Sequence, residues 1–418
     1  MPLLNPLPPD RPCARRRPAV DAATLAAAAP IVEAVRTGGE AALRAFAAEH
    51  DALHHDAPLV IGRDGMQRAF DSLGGTEQHL LLRVAERIRG FAEAQRRALQ
   101  DVCVPVPGGV AGHRIEPIWC AGCYAPGGRH PLPSSVLMTA VTARVAGVRT
   151  VWLASPRPAR ITLAAAHVAG ADQLLAAGGA HAVAALAFGA GPVPACDVVV
   201  GPGNRWVTAA KQLVSGSVGI DMLAGPSELV VLADGSADPE RIAADLLAQA
   251  EHDDDAVPIL ISIGPALVPR VEAELARQLT SLPTAATARR ALANGGVLVC
   301  TDLAEATRAC DALAPEHVQV MTREPHVAAA ALHRHGTLFL GGAAEVLGDY
   351  GAGPNHVLPT GGTARFTAGL SVFTFLRART WLDLQDTASA AVLARDAAAL
   401  ARLEGLEGHA RAAELRAR

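Results

Sequence analysis

A glutamate and a histidine stand side by side in the motif Ala-Pro-Glu-His at 314–317, just before an apolar segment that predicts a strand. A carboxyl and an imidazole have different intrinsic pKa values, so Glu316 and His317 offer two proton-transfer groups at one place. The alternative is a capped turn that carries a solvated acid. Taken alone, the pair indicates acid–base chemistry without establishing it.

Gln249 and His252 lie three residues apart at the end of a predicted helix, so their side chains share one face. An amide oxygen and an imidazole on one face can both reach the same cation. The alternative is polar decoration of a helix C-terminus, where the negative end of the helix dipole favours an imidazole.

Two further polar segments lie nearer the C-terminus. The glycine-rich segment 348–356 contains Asp349 and His356, and it is either a ligand-gathering loop or an ordinary turn. Glu404 and His409 lie in a terminal helical pattern, where solvated side chains are the usual outcome. Histidine, aspartate and an amide oxygen together suit zinc, but spacing alone leaves open whether these distant segments converge.

Glycine-rich turns at 124–128, 178–181 and 201–204 could bring backbone amides close to a phosphate or a nucleotide. None of them matches the G-x-G-x-x-G fingerprint of dinucleotide-binding proteins. The chain also lacks a Walker loop and a G-x-S-x-G elbow, which disfavours NTPase and hydrolase functions.

The elements that must position these residues alternate between strands and helices after Gly109, a pattern typical of parallel sheets covered by helices. The segment from Ala22 to about Gln100 is predicted to be helical, as are the last 45 or so residues, from about Thr374. Predicted strands lie at 150–154, 197–200, 228–233, 258–263, 296–300 and 318–321, and predicted helices at 159–169 and 239–252.

The composition bounds the class of protein. Hydrophobic residues make up 50% of 418 residues, and the net charge of −4 argues against a nucleic-acid-binding protein. No apolar run reaches the roughly 18–20 residues of a membrane helix, and no signal-type segment follows the N-terminal arginines, so a cytoplasmic location without membrane attachment is expected. Seven scattered cysteines disfavour a disulfide framework, and Cys120-x-x-Cys123 lacks a second pair to complete a zinc site.

The combination of these segments, in order and spacing, resembles the histidinol dehydrogenase family from about Glu40 to the C-terminus. The matching motifs are Tyr-x-Pro-Gly-Gly (124–128), Pro-Ser-Ser-Val-Leu-Met (133–138), Val-Gly-Pro-Gly-Asn (200–204), Asp-Met-Leu-Ala-Gly-Pro-Ser-Glu (221–228), Leu-Ala-Gln-Ala-Glu-His (247–252), Ala-Pro-Glu-His (314–317), Gly-Asp-Tyr (348–350), Asn-His-Val-Leu-Pro-Thr (355–360), and Glu-Gly-Leu (404–406) with His409.

The resemblance implies an NAD-dependent four-electron oxidation of L-histidinol to L-histidine through L-histidinal, the last steps of histidine biosynthesis. It implies an α/β fold of two related, incomplete Rossmann-like domains with parallel sheets and small, mainly helical terminal segments. It also implies a homodimer whose active site is shared between subunits. The expected division is an arm at 1–20, a first domain at 21–123 and 228–371, an NAD-side domain at 124–227, and a C-terminal helical segment at 372–418 that reaches the partner subunit.

By the same resemblance, His317 is the general base for the alcohol proton, and Glu316 activates the water that attacks the aldehyde. One zinc ion per subunit, which orients the substrate, is expected on Gln249, His252, Asp349 and His409. The expected substrate contacts are these four residues with His317, Ser227, Glu404 and, less firmly, His356; the expected NAD contacts are Tyr124, His181 and Asn204.

The sequence departs from the family pattern at His181, where glutamine is usual. Both side chains can donate and accept hydrogen bonds, but in different geometries, so the affinity for NAD is in question. Asp253-Asp254-Asp255 is also more acidic than the common Gly-Pro-Asp form, with little effect expected on the metal ligands.

Three other functions stay open at this point. The first is a related zinc and NAD dehydrogenase that oxidises another primary alcohol, such as a sulfonated diol, to its acid. The second is a metal-dependent hydrolase that needs no NAD, and the third is a non-catalytic α/β binding protein.

Overall fold

The structure analysed is a computed structural model, which describes residues 2–8, 19–54, 56–127 and 131–417. The predicted α/β class with parallel sheets is confirmed. The fourteen strands of the described residues are β1 Val60–Gly62, β2 Val102–Val106, β3 Gly109–Pro117, β4 Cys120–Tyr124, β5 Thr150–Ala154, β6 Gln173–Leu175, β7 Val198–Val200, β8 Gly219–Ile220, β9 Glu228–Ala233, β10 Val257–Ile263, β11 Gly296–Cys300, β12 His317–Met321, β13 Thr337–Leu340 and β14 Leu376–Leu384.

Helices cover both faces of the two larger sheets. Two 3₁₀ turns, Thr363–Arg365 and Val372–Phe375, follow the last helix of the second sheet. The α-helices described are α1 Ala22–Asp51, α2 Arg63–Asp71, α3 Gly75–Arg97, α4 Pro133–Ala146, α5 Arg160–Val168, α6 Gly179–Phe188, α7 Arg205–Val214, α8 Pro239–Ala250, α9 Val268–Leu279, α10 Ala285–Asn294, α11 Leu303–Leu313, α12 Pro325–Ala330, α13 Glu345–Asp349, α14 Thr387–Leu403 and α15 Glu407–Glu414.

The first sheet has the strand order β1-β6-β5-β4-β7-β8, and only β1 is antiparallel to its neighbour. Its strands are continuous apolar runs because helices bury both faces, with α4 and α5 on one side and α1, α6 and α7 on the other. The direction of strand addition reverses between β4 and β7. In an open α/β sheet this reversal leaves a crevice at the carboxyl ends of the two strands, where ligands bind.

The second sheet is fully parallel, in the order β11-β10-β9-β12-β13. It is covered by α8, α9 and α10 on one face and by α11 and α12 on the other. The described start of the predicted N-terminal arm packs on it: Leu4 is buried, and the Leu3 and Leu4 amides donate to the Glu272 carboxylate. Residues 9–18 of the arm lie outside the described residues.

A third, antiparallel sheet corrects one prediction. Residues 376–384, predicted to be helical, form β14, which pairs along its whole length with β3 in the order β14-β3-β2. The leucines, arginines and alanine of this segment favour a helix, but pairing with a strand about 260 residues away overrides local propensity. Only α14 and α15, beyond residue 386, fit the helical prediction for 372–418.

The helices of residues 22–97 pack against the first sheet, whereas the family resemblance implies a domain that combines residues 21–123 with 228–371. Helix α1 contacts α6 and α7, α2 contacts α5, and β1 pairs with β6. The boundaries of the functional domains stay a prediction. Among the described residues, no helix combines the length and the apolar character needed to cross a membrane.

Candidate active site

The catalytic candidates lie where β9 and β12 begin, side by side in the second sheet. Their register places His317 opposite Leu229, so Glu316 comes beside Glu228. The Glu316 Oε2 atom accepts hydrogen bonds from Ser227 Oγ at 2.6 Å and from the Glu228 amide at 2.9 Å. Ser227, which the sequence predicts as a substrate contact, is therefore also a hydrogen-bond donor to the Glu316 carboxyl.

The His317 imidazole is buried, and its hydrogen bond defines its tautomer. Nδ1 lies 3.1 Å from the Glu228 carbonyl oxygen, which can only accept, so Nδ1 carries the proton. Nε2 then presents a lone pair, and it has no hydrogen-bond partner among the described residues. Burial and the neighbouring His252 and His356 lower the pKa of His317 to about 3. The ring is thus neutral, and its role as the general base stays a prediction.

A cluster of metal-type ligands lies next to His317. His252 Nε2 is 3.9 Å from both Asp349 Oδ2 and Glu345 Oε1, and one ligand atom from each residue falls within 4.8 Å of the others. His317 Nε2 lies 3.7 Å from Asp349 Oδ1. The structure therefore brings together two of the four predicted zinc ligands, His252 and Asp349, beside the predicted base.

Glu345 is a functional candidate that the sequence analysis missed. It is buried, its Oε1 lies 3.8 Å from His317 Nδ1, and its Oε2 has no described partner. Glu345 and Asp349 are four residues apart at the two ends of α13, so they share a face. This spacing of four residues could have pointed to Glu345 as a neighbour of Asp349, but the glycine-rich segment 348–356 suggested a loop instead of a helix.

The predicted ligands Gln249 and His409 differ in their surroundings. Gln249 is fully buried near the end of α8, and both atoms of its amide lack a described partner, which is costly unless a ligand satisfies them. His409 and the predicted substrate contact Glu404 are exposed on α15 and at the end of α14, outside the cluster of His252, Glu345 and Asp349. Within one chain, the structure does not join them to the site.

His356 links the site to the first sheet. Its Nδ1 lies 2.9 Å from the Asp349 carbonyl oxygen, and its Nε2 lies 3.4 Å from Ser135 Oγ, in the first turn of α4. Because α4 begins at the carboxyl edge of the first sheet, this contact places the crevice of that sheet next to the cluster.

The three predicted NAD contacts lie at this crevice. Tyr124 ends β4, and its hydroxyl oxygen accepts from the Gly179 amide at 3.1 Å. Asn204 caps α7 through Oδ1, which leaves its Nδ2 group as the donor for a ligand. His181 is buried in the first turn of α6, and its Nε2 is 2.8 Å from Asp51 Oδ2. Asp51, which the sequence analysis did not single out, thus orients the residue that departs from the family pattern.

The electrostatics of the site favour the binding of a cation. Burial raises the pKa of Asp349 and of Glu228 to about 7 and that of Glu316 and Glu345 well above the usual range. Each charged neighbour that acts on Glu345 is another carboxyl. Buried carboxyls of this kind are either protonated or paired with positive charge, which a divalent ion would supply.

This arrangement predicts that the metal-free protein loses stability as the pH rises from 7 to 9. The native state holds protons on these carboxyls that the unfolded state has already released, so the free energy of unfolding falls; above pH 7 the fall comes mainly from Glu316 and Glu345, because the pKa values of Asp349 and Glu228 are about 7. His317 and His356, with pKa values near 3 and 4, are neutral in both states above pH 7 and do not contribute. Thermal unfolding with and without zinc tests this, and an equal pH slope in both samples would contradict it.

Comparison with known proteins is consistent with this geometry. The histidinol dehydrogenase family profile matches residues 14–417. The chain is 48% identical to histidinol dehydrogenase of Thermus thermophilus (92% of this chain, 93% of that protein) and 44% identical to that of Methylococcus capsulatus (93% and 90%). The crystal structure of histidinol dehydrogenase from Elizabethkingia anophelis superposes with a TM-score of 0.92 at 28% identity, covering 100% of this chain and 98% of that one.

Proposed function

The chain belongs to the histidinol dehydrogenase family, and from this premise we propose how its residues carry out the NAD-dependent oxidation of L-histidinol to L-histidine. One observation carries the assignment of roles. The Ser227–Glu228 segment positions both Glu316 and His317, and it orients His317 with its Nε2 lone pair towards Asp349.

In the first oxidation, His317 Nε2 accepts the proton of the substrate hydroxyl. At the same time, a hydride passes to NAD from the carbon that bears this hydroxyl. In the second, Glu316 accepts a proton from water as the water oxygen bonds to the aldehyde carbon, and the resulting hydrate gives up a second hydride to a second NAD. Burial makes the Glu316 carboxylate a stronger base than an exposed one, so it can accept this proton when it is ionised, a state that a neighbouring cation would favour.

The donor set fits one zinc ion, since it combines imidazole, carboxylate and amide oxygen ligands. His252, Asp349 and the unpartnered amide of Gln249 would hold it, with Glu345 adjacent. When bound, the ion would help to orient the substrate by binding the amino and imidazole nitrogens of the substrate. Ser227 Oγ donates to Glu316, so it would contact the substrate as an acceptor, and His356 is proposed as a further contact.

For NAD, we propose contacts with Tyr124, His181 and Asn204 at the crevice of the first sheet. The hydroxyl of Tyr124 is buried against the α6 turn, and burial raises its pKa to about 12, so it stays protonated and can donate to the cofactor.

We further propose a homodimer in which Glu404 and His409 complete the site of the partner subunit. Two groups of exposed apolar side chains support this. One lies on the C-terminal helices with Glu404 and His409 and includes Leu400 and Leu403, the latter 86% exposed. The other, Leu347, Tyr350 and Phe366, lies around Asp349 and the following loops. In a two-fold dimer, such patches can cover each other twice.

We also propose a cytoplasmic location. The six cysteines of the described residues are all free thiols, which fits a reducing compartment.

The test is the yield of NADH per L-histidinol added, measured with purified protein before and after treatment with a chelator. We expect two NADH per substrate, with activity lost on chelation and restored by zinc. Turnover without NAD would instead indicate a hydrolase. If folded, zinc-loaded protein forms no NADH from histidinol, the substrate is instead another primary alcohol, such as a sulfonated diol.

A further inference from the structure

Lys211 is the single lysine of the chain, whose 37 basic residues are otherwise arginines. It lies in the interior of α7, and its side chain is only 3% exposed. Lysine is almost never buried unless it is paired, so this position requires a compact ammonium group rather than a surface charge.

The Lys211 ammonium pairs with the fully buried carboxylate of Asp221, just after β8. Both groups also bind Gly201, the residue that follows β7. Lys211 Nζ donates to the Gly201 carbonyl oxygen at 3.0 Å, and the Gly201 amide donates to Asp221 Oδ2 at 2.7 Å. The ion pair therefore fixes both polar backbone groups of one residue.

Gly201 occupies a position that only glycine can fill. Its φ is 117°, and a β-carbon would lie 2.1 Å from the carbonyl oxygen of Tyr124, at the end of β4. The Gly201 backbone thus sets how closely the ends of β4 and β7 approach at the crevice. It also sets where the following turn delivers Asn204, whose side chain caps α7.

A buried ion pair is weak support for stability, because apolar residues of similar volume often serve equally well. Here both charges converge on one backbone residue between two cofactor contacts. We infer that Lys211 and Asp221 are positioning residues for NAD, holding the 201–204 turn and the end of β4 at the spacing that the dinucleotide requires. The inference rests on the proposed contacts of NAD with Tyr124 and Asn204.

The most informative variant is Lys211→Arg, because it keeps the positive charge and every other Lys or Arg position of the chain is arginine. The planar guanidinium is larger than an ammonium group and does not fit this enclosed site without displacing Gly201. We expect KM for NAD to rise about 10- to 100-fold, with kcat at saturating NAD within about threefold and KM for histidinol unchanged. Asp221→Asn is expected to act in the same direction.

The matched control is Arg144→Lys. Arg144 pairs with Asp172, just before β6, on the other side of β4 from the crevice, and both side chains are partly buried. It is expected to leave KM for NAD unchanged. Tyr124→Phe and Asn204→Ala report on the proposed cofactor site itself: if neither changes KM for NAD, the proposed site fails, whatever Lys211→Arg does.

The single lysine also provides a direct signal in the unaltered chain. Protein labelled with ¹³C at lysine Cε gives one side-chain resonance, from Lys211, which we expect to shift when NAD alone is added. This measurement decides the matter if Lys211→Arg does not fold. A resonance that does not move at saturating NAD would overturn the inference. So would a folded Lys211→Arg variant whose KM for NAD stays within twofold of the original while Tyr124→Phe and Asn204→Ala raise it.

Discussion

Replacing His317 with asparagine is expected to lower kcat for histidinol by about 10²- to 10⁴-fold, the usual contribution of a positioned general base. His317 Nδ1 is committed to the Glu228 carbonyl, so only Nε2 can accept the substrate proton. Asparagine retains a donor towards Glu228 but has no basic nitrogen. Steady-state NADH production from L-histidinol, with folding checked by thermal unfolding, measures the effect.

The comparison with Glu316→Gln tests the division of labour. Glutamine keeps the shape of the side chain and can still accept from Ser227 and the Glu228 amide through its carbonyl oxygen. We expect it to slow the oxidation of L-histidinal more than that of L-histidinol, so the aldehyde accumulates and less than two NADH form early in the reaction. If both variants slow both steps equally, the separate roles of the two residues are wrong.

Mixing two inactive variants, His317→Asn and His409→Asn, is expected to restore activity. In a shared-site dimer each mixed dimer has one site with both substitutions and one site with neither. Random exchange of subunits in an equal mixture makes half of the dimers mixed, so about a quarter of the original activity returns. Each variant alone is expected to lose nearly all activity, because His409→Asn removes a proposed metal ligand and His317→Asn removes the proposed base.

The exposed His333, outside the proposed site, supplies the control. His333→Asn is expected to retain full activity, and mixing it with His317→Asn is expected to give only the average of the two parents. If the mixture of the His317 and His409 variants stays inactive after subunit exchange, which a tagged subunit can verify, Glu404 and His409 do not act across a dimer interface.

Much of the architecture followed from local patterns. Strand β9 was predicted with its observed bounds, and β12 and β10 to within one residue, because strands buried on both faces are short apolar runs between turns. Strand β14 was missed because its partner β3 lies far away in the chain, and a solvent-exposed antiparallel strand rich in arginine and leucine carries no helix-excluding signal.

Residue types and motif order can be read from the sequence: an imidazole beside a carboxyl, the candidate ligand residues, the glycine turns and the family to which their order belongs. The folded chain was needed to see that Ser227 and Glu228 hydrogen-bond to Glu316 and His317 and that Glu345 lies beside His252 and Asp349. It was also needed to see that Asp51 and Lys211 hydrogen-bond to His181 and Gly201 at the crevice. It also placed Glu404 and His409 on an exposed unit, outside the cluster of the same chain. The reason is physical: residue types and short spacings fix which groups exist and which share a face. Which distant groups meet is set by strand register and by the burial of sheet faces, and these depend on the whole chain.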